Sequence, residues 1–272
     1  MSNKVYVIGD LHGSYHPIKH FYEKYKDNPD FNFDGTDTII LLGDAGLNYY
    51  FNHRDDNFKN ALCKYPFNYF VIRGNHEQRP SICMEMSPQK WTLEEFWHGA
   101  VYVEKRCPKI KYAVDTPSSY YIEKLDCLFL SIPGAYSVDK EYRLMNGWSW
   151  FPQEQLSLRE MLDAADFIRR EWDDNFNFDL ILSHTAPLKY EPVELFLPFI
   201  DQSKVDKSME EFLDWVDDKI NYNLWLWGHY HAYKYYDPKK WDEFNRRKLM
   251  LHKDHIIDLE EWLNIKGEGK VL

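Results

Sequence analysis

Val5-Tyr6-Val7-Ile8-Gly9-Asp10-Leu11-His12-Gly13 begins as a continuous apolar run and ends in a turn bearing a carboxylate and an imidazole. The run reads as a short strand buried on both faces. The same grammar returns downstream. Asp37-Thr38-Ile39-Ile40-Leu41-Leu42 runs into Gly43-Asp44, and Tyr69-Phe70-Val71-Ile72 runs into Arg73-Gly74-Asn75-His76-Glu77. Helical character over 16–26 and 55–64 separates these runs, so the opening is strand–helix–strand–helix–strand, joined in parallel by right-handed crossovers. Two later runs obey the rule as well. Asp179-Leu180-Ile181-Leu182 delivers Ser183-His184, and Leu224-Trp225-Leu226-Trp227 delivers Gly228-His229-Tyr230-His231. Tryptophans and leucines alternate in the last run, which buries both of its faces. A polar motif thus stands at the carboxyl end of every such strand, where open α/β sheets gather ligands from separate loops.

The middle of the chain changes character. Val101-Tyr102-Val103, Lys111-Tyr112-Ala113-Val114, Ser119-Tyr120-Tyr121-Ile122 and Cys127-Leu128-Phe129-Leu130-Ser131-Ile132 read as successive short antiparallel strands. Before them, Thr92 with Glu95 forms a capping box for a short helix. Leu158, Met161, Leu162, Ala165, Ile168 and Trp172 recur at helical spacing, as do Met209, Phe212, Leu213, Val216 and Ile220. Short strands are expected near 248–251 and 255–258. A site drawing on residues 10 to 231 cannot be divided, so one domain over 1–272 is expected.

The 272 residues carry a net charge of −11, with 44% hydrophobic and 17% aromatic content. That balance supplies a large core and excludes a protein that coats nucleic acid through an extensive basic surface. Cys63, Cys83, Cys107 and Cys127 form no Cys-x-x-Cys pair and read as reduced structural thiols. Without a secretory signal or a membrane-spanning apolar run, the cytoplasm is the expected compartment.

Taken singly, Asp10-x-His12, Gly43-Asp44 and His229-x-His231 are ordinary turns or strand ends. Together the five motifs resemble those of the calcineurin-like metallophosphoesterase superfamily, in the same order and over most of the chain. That resemblance implies an α/β fold arranged as a four-layer αββα sandwich with mixed sheets. It also implies that Asp10, His12 and His231 hold one metal, Asn75, His184 and His229 another, and Asp44 both. Mixed oxygen and imidazole donors suit borderline divalent transition metals, Mn²⁺ foremost, then Fe²⁺, Zn²⁺ or Ni²⁺. A shared carboxylate would keep the ions ~3.5–4 Å apart, with a bridging water deprotonated near neutral pH as nucleophile for direct attack on phosphorus. His76 is the expected proton donor to the leaving oxygen, Asn75 is a further phosphate contact, and Glu77 is expected to make structural hydrogen bonds. His16, His20, His53, His98, His252 and His255 lack motif context.

Arg73-Gly74-Asn75-His76-Glu77 resembles the serine/threonine phosphoprotein phosphatase branch most. The second motif departs from that branch. Leu47 stands where the branch has a carboxylate that orients the catalytic histidine, and Asn48 where it has a phosphate-clamping arginine. A backbone carbonyl or a water is then left to orient His76. The loop from Ser131 to Arg143 offers a replacement clamp in Arg143, with Arg79 and Lys140 as further candidates. Trp148 and Trp150 would stack on a substrate ring or support the loop. The expected activity is hydrolysis of phosphomonoesters, either small esters or phosphoserine and phosphothreonine peptides. The alternatives are a phosphodiesterase for cyclic nucleotides or nucleic-acid ends, and a non-catalytic binding module.

Overall fold

The computed structural model describes residues 3–171, 177–242, 244, 246–265 and 267–272. The first half runs β1 (Val5–Ile8), α1 (His16–Tyr25), β2 (Thr38–Leu42), α2 (His53–Leu62), β3 (Asn68–Ile72), α3 (Pro80–Met86), β4 (Trp91–Phe96), β5 (Gly99–Glu104) and β6 (Ile110–Ala113). The chain continues through β7 (Ser118–Ile122), β8 (Cys127–Ile132), α4 (Lys140–Met145), α5 (Leu158–Glu171), β9 (Asn177–Ser183) and α6 (Ser208–Lys219). It ends with β10 (Asn221–Trp227), β11 (Lys234–Tyr236), α7 (Pro238–Trp241), β12 (Arg247–Met250), β13 (Ile257–Asp258) and α8 (Leu259–Asn264).

The strands form two mixed sheets, ordered β13-β1-β2-β3-β6-β5-β4 and β11-β12-β10-β9-β8-β7. β1, β2, β3 and β6 are parallel in the first, and β8, β9, β10 and β12 in the second. One apolar cluster joins Val7, Ile40 and Phe70 of the first sheet to Phe129, Leu182 and Leu226 of the second, so the sheets face each other. The outer face of the first sheet packs on Ile18, Phe21, Phe58 and Leu62 of α1 and α2. That of the second packs on Met161 and Ile168 of α5 and on Phe212 and Val216 of α6. Helix, sheet, sheet and helix therefore stack as the expected four layers. The alternation in β10 has its physical reason here: Leu224 and Leu226 enter the inter-sheet core, and Trp225 and Trp227 the helix-facing one.

Two sequence expectations change. Thr92 and Glu95 lie in edge strand β4, not in a capped helix, with Val103 and Ala100 of β5 as their partners. Pairing along β5 and packing of Trp91 on Tyr112, with ring centroids 5.2 Å apart, override the local capping signal. The four middle strands are not one antiparallel run either. β6 pairs parallel with β3, and β7 opens the other sheet. Trp172 lies outside the described residues.

Candidate metal centre

Every strand bearing a motif is followed directly by cluster residues. Asp10 and His12 follow β1, Asp44 follows β2, Asn75 and His76 follow β3, His184 follows β9, and His229 and His231 follow β10. The turns are sharp. Asp10, His12, Asp44, His229 and His231 all hold φ between 36° and 70°, a region that side chains seldom occupy without surrounding constraint. Hydrogen bonds supply that constraint. The His12 amide donates to the Asp44 carbonyl at 2.7 Å, and the His229 amide to both Asp10 oxygens at 2.9 and 3.0 Å. The His76 amide donates to Asp44 Oδ1 at 2.8 Å. Two motif glycines are required by close approach. A Cβ on Gly74 would lie 2.1 Å from Asp44 Oδ1, and one on Gly43 2.2 Å from His184 Nδ1.

Three overlapping groups of donors result: Asp10, His12 and His231; His12, Asp44 and His76; and Asp44, His184 and His229. Within each group one ligand atom per residue lies within 4.8 Å of the others. His184 Nδ1 faces the Leu42 carbonyl at 2.7 Å, which places its hydrogen there. Its Nε2 meets Asn75 Oδ1 at 2.9 Å, and His12 Nε2 meets His231 Nε2 at 2.8 Å. Donor atoms set this close need a hydrogen or a cation between them.

The electrostatics agree. Burial lowers His12 to about 4, against the pull of Asp44, and burial together with His184 lowers His229 well below its ordinary value. Both are held in the neutral form that ligates. Burial lifts Asp10 to about 8, opposed by the His184 charge. Burial likewise works against Asp44, yet His184 and then His76 hold it well below the carboxylate range. Burial opposes the charge on His184, but the Asp44 carboxylate carries it up to about 9. Two buried carboxyl groups beside His12 and His229, both held neutral, make a donor set that fits divalent cations, and a bound cation would take the place of the protons on Asp10 and His184.

The remaining predicted residues fall into two classes. Glu77 Oε1 accepts from the Gly46 and Leu47 amides, and its Oε2 from that of Gly74, so it ties two motif loops together. Leu47 is buried in the helix-facing core, and Asn48 accepts from the Lys59 ammonium at 2.7 Å. Neither faces the cluster. Among the described residues no group hydrogen-bonds a ring nitrogen of His76. Its ring is held instead by stacking on Tyr49, 6.0 Å between centroids, and edge-on packing against His12 at 5.2 Å. Arg143 is wholly buried, and its Nε and Nη2 both donate to the Ser149 carbonyl. The edge that would have gripped a phosphate is therefore engaged with the protein, while Nη1 donates to Ser137 Oγ. Arg79 pairs with Glu160 and donates to the Gln153 and Gln155 carbonyls. The Lys140 ammonium lies over the Trp150 ring at 4.2 Å. Trp148 is exposed beside the site.

A cleft of about 520 Å³ opens over His12 and His76, walled by Tyr49, Tyr50, Arg54 and Trp148. The Tyr50 and Phe51 amides donate to Asp55, and Asn52 caps α2 through the Arg54 amide. This bracing sets Arg54 on the wall with its guanidinium 4.9 Å from the Tyr50 ring centroid and no ion pair among the described residues. Sequence reasoning missed Arg54, Tyr49 and Tyr50. Their only signal was position, in the loop and first helical turn that follow Gly43-Asp44.

A sequence model of the calcineurin-like phosphoesterases matches residues 3–233. The chain belongs to that family. Its clustered His and Asp residues are candidate ligands for a divalent metal, which family membership supports. Serine/threonine-protein phosphatase PP1-delta of Caenorhabditis elegans is 34% identical over 80 residues, 27% of this chain and 22% of that protein. The match thus spans about a fifth of the curated relative's length. Among solved structures, phosphopantetheinyl hydrolase from Mycobacterium tuberculosis matches with 13% identity and a TM-score of 0.49, covering 92% of this chain and 90% of that one. A second solved structure matches at 11% identity and a TM-score of 0.50, covering 99% and 98%, and it speaks to the fold alone. Among the described residues no helix is long and apolar enough to cross a membrane.

Proposed function

We propose that the chain is a binuclear phosphomonoesterase, with Asp10, His12 and His231 around one ion, Asn75, His184 and His229 around the other, and Asp44 shared. One observation carries this reading: three overlapping groups of converging donors, two of which share the buried Asp44 carboxylate. Bound divalent ions, Mn²⁺ first by donor type, would activate water near neutral pH and stabilise charge on the phosphoryl oxygens. The protein's own part is positional. His76 Nε2, turned to the cluster 3.8 Å from Asp44 Oδ2, passes its proton to the leaving oxygen. Arg54 draws the anionic ester into the cleft, while Tyr49, Tyr50 and Trp148 exclude water from its organic part. Likeness to the PP1-delta segment supports phosphoserine and phosphothreonine esters within this class.

A diester is the second reading, and the engagement of Arg143 favours it. With that guanidinium on Ser149, Arg54 is the cation of the wall without an ion pair among the described residues, and a diester's single charge asks for less than a monoester's two. Protein loaded with Mn²⁺ should bind two equivalents and hydrolyse a chromogenic monoester faster than its bis-ester. Preference for the bis-ester would move the assignment to the second reading. Two bound equivalents with no turnover of either would leave a binding module.

A further inference from the structure

The segment from Ser131 to Arg143, which leaves β8 and enters α4, does not serve as a phosphate clamp, yet it reaches the candidate metal centre through one hydroxyl. Ser137 Oγ lies 2.9 Å from Asn75 Nδ2, 2.8 Å from Arg143 Nη1 and 2.6 Å from Glu154 Oε2. All four side chains are buried. We infer that Glu154 and Ser137 are positioning residues that fix which end of the Asn75 amide faces the metal, an inference that rests on the binuclear reading above.

The argument is one of donor and acceptor counts. A hydroxyl has one hydrogen to give. The Glu154 carboxylate only accepts, and its 2.6 Å contact has the length of a hydroxyl donating to a charged oxygen. The second Glu154 oxygen takes the Ser137 amide at 2.9 Å, so the carboxylate grips this residue at both ends. With its hydrogen given to Glu154, Ser137 Oγ can only accept. Arg143 Nη1, which can only donate, meets that requirement on one side. Asn75 must meet it on the other, and only its NH₂ end can do so. Its oxygen is thereby directed at the point where His184 Nε2, 2.9 Å away, would present its lone pair to a bound ion. The reversed amide would set oxygen against an oxygen with no hydrogen to offer, and would point two N–H groups at the cation site. Polarity thus passes from Glu154 through Ser137 to Asn75.

Glu154→Gln tests this with almost no change in shape. If the new NH₂ faced the Ser137 amide, two fixed donors would collide, so it must face Oγ. The hydroxyl then receives hydrogens from Gln and Arg143, and its own hydrogen has only Asn75 to turn to. That favours the reversed amide. Both the wild type and this variant would be loaded with Mn²⁺, and each equivalent titrated by calorimetry, with thermal unfolding of the metal-free proteins alongside. The expected result is a second equivalent bound about 10–100-fold more weakly in Glu154→Gln, the range for residues that orient metal ligands. The first equivalent and the fold should be retained. In an Asn75→Asp background both side-chain oxygens accept, so adding Glu154→Gln should leave metal affinity unchanged. Wild-type binding of both ions by Glu154→Gln would overturn the inference, as would an equal loss in the two backgrounds, which is what a merely structural role gives. Wild-type protein that binds no second ion would instead defeat the binuclear reading itself. Ser137→Ala, which removes the relay without adding a donor, covers the case in which Glu154→Gln does not fold. It too should weaken the second ion, and unaltered affinity there would equally refute the relay.

Discussion

The inner and outer halves of the metal centre use the same residue types in opposite ways. In the inner half, Asp44 and His184 are 1% and 0% exposed, and three donors are held from behind by the protein. Leu42 holds His184, Ser137 holds Asn75, and the His76 amide holds Asp44. Glycines 43 and 74 leave no room for the cluster to relax. In the outer half, His12 and His231 are exposed, their Nε2 atoms meet at 2.8 Å with the rings edge-on, and His12 lines the cleft. One half is a rigid seat and the other a doorway. Ion retention should therefore be governed by the inner half, and substrate traffic by the outer.

Asp44 joins the halves, so its loss should have the largest effect. Asp44→Ala removes the carboxylate common to the second and third donor groups and the acceptor of the His76 amide. Expected are loss of both bound equivalents by elemental analysis and no measurable turnover. A variant that kept one tightly bound ion would show that the inner half stands without its shared carboxylate, and the comparison would fail.

The donor set, in both halves, was legible in the sequence. Its residues sit directly after apolar runs, and strand ends converge in space by the geometry of parallel sheets. Asp44, Asn75 and His184 could therefore be read as neighbours, and so could the αββα layering once the family pattern was recognised. The cleft wall and the relay were harder to read. Tyr49, Tyr50 and Arg54 owe their place to the bracing of a loop by Asp55, and Glu154 acts from 79 positions beyond Asn75. Neither leaves a periodic or spaced signal. Arg143 misled for a related reason, because an arginine expected in a loop reads alike whether it meets solvent or, as here from α4, a buried carbonyl. Thr92 and Glu95 misled because a capping box is local, whereas the pairing of β4 with β5 is not.

His76 stands between the halves and tests whether proton transfer separates from ion binding. Its ring touches Tyr49 and His12 but holds none of the inner donors in place. His76→Ala should keep two equivalents of metal while lowering turnover of an ester with a poor leaving group by about 10²–10⁴-fold. With a good leaving group that needs no proton, the loss should shrink. Equal losses for both esters would point to a binding role for the ring instead.

Arg54 should have the smallest effect and the most informative kind. It is exposed on the doorway side, stacked on Tyr50 and remote from the inner donors. A guanidinium there attracts the ester before and during reaction alike, and such uniform binding appears in KM with kcat unmoved. Arg54→Ala should therefore raise KM by roughly 3–10-fold, between the worth of a screened surface contact and that of a dry charged hydrogen bond. Metal content and thermal unfolding should match wild type. Salt should shrink the difference, because screening weakens an exposed charge and leaves the buried Asp44–His184 pair largely untouched. A fall in kcat with KM unchanged would place Arg54 at the reacting phosphoryl group. The doorway would then belong to the catalytic seat, and the division between the two halves would have to be redrawn.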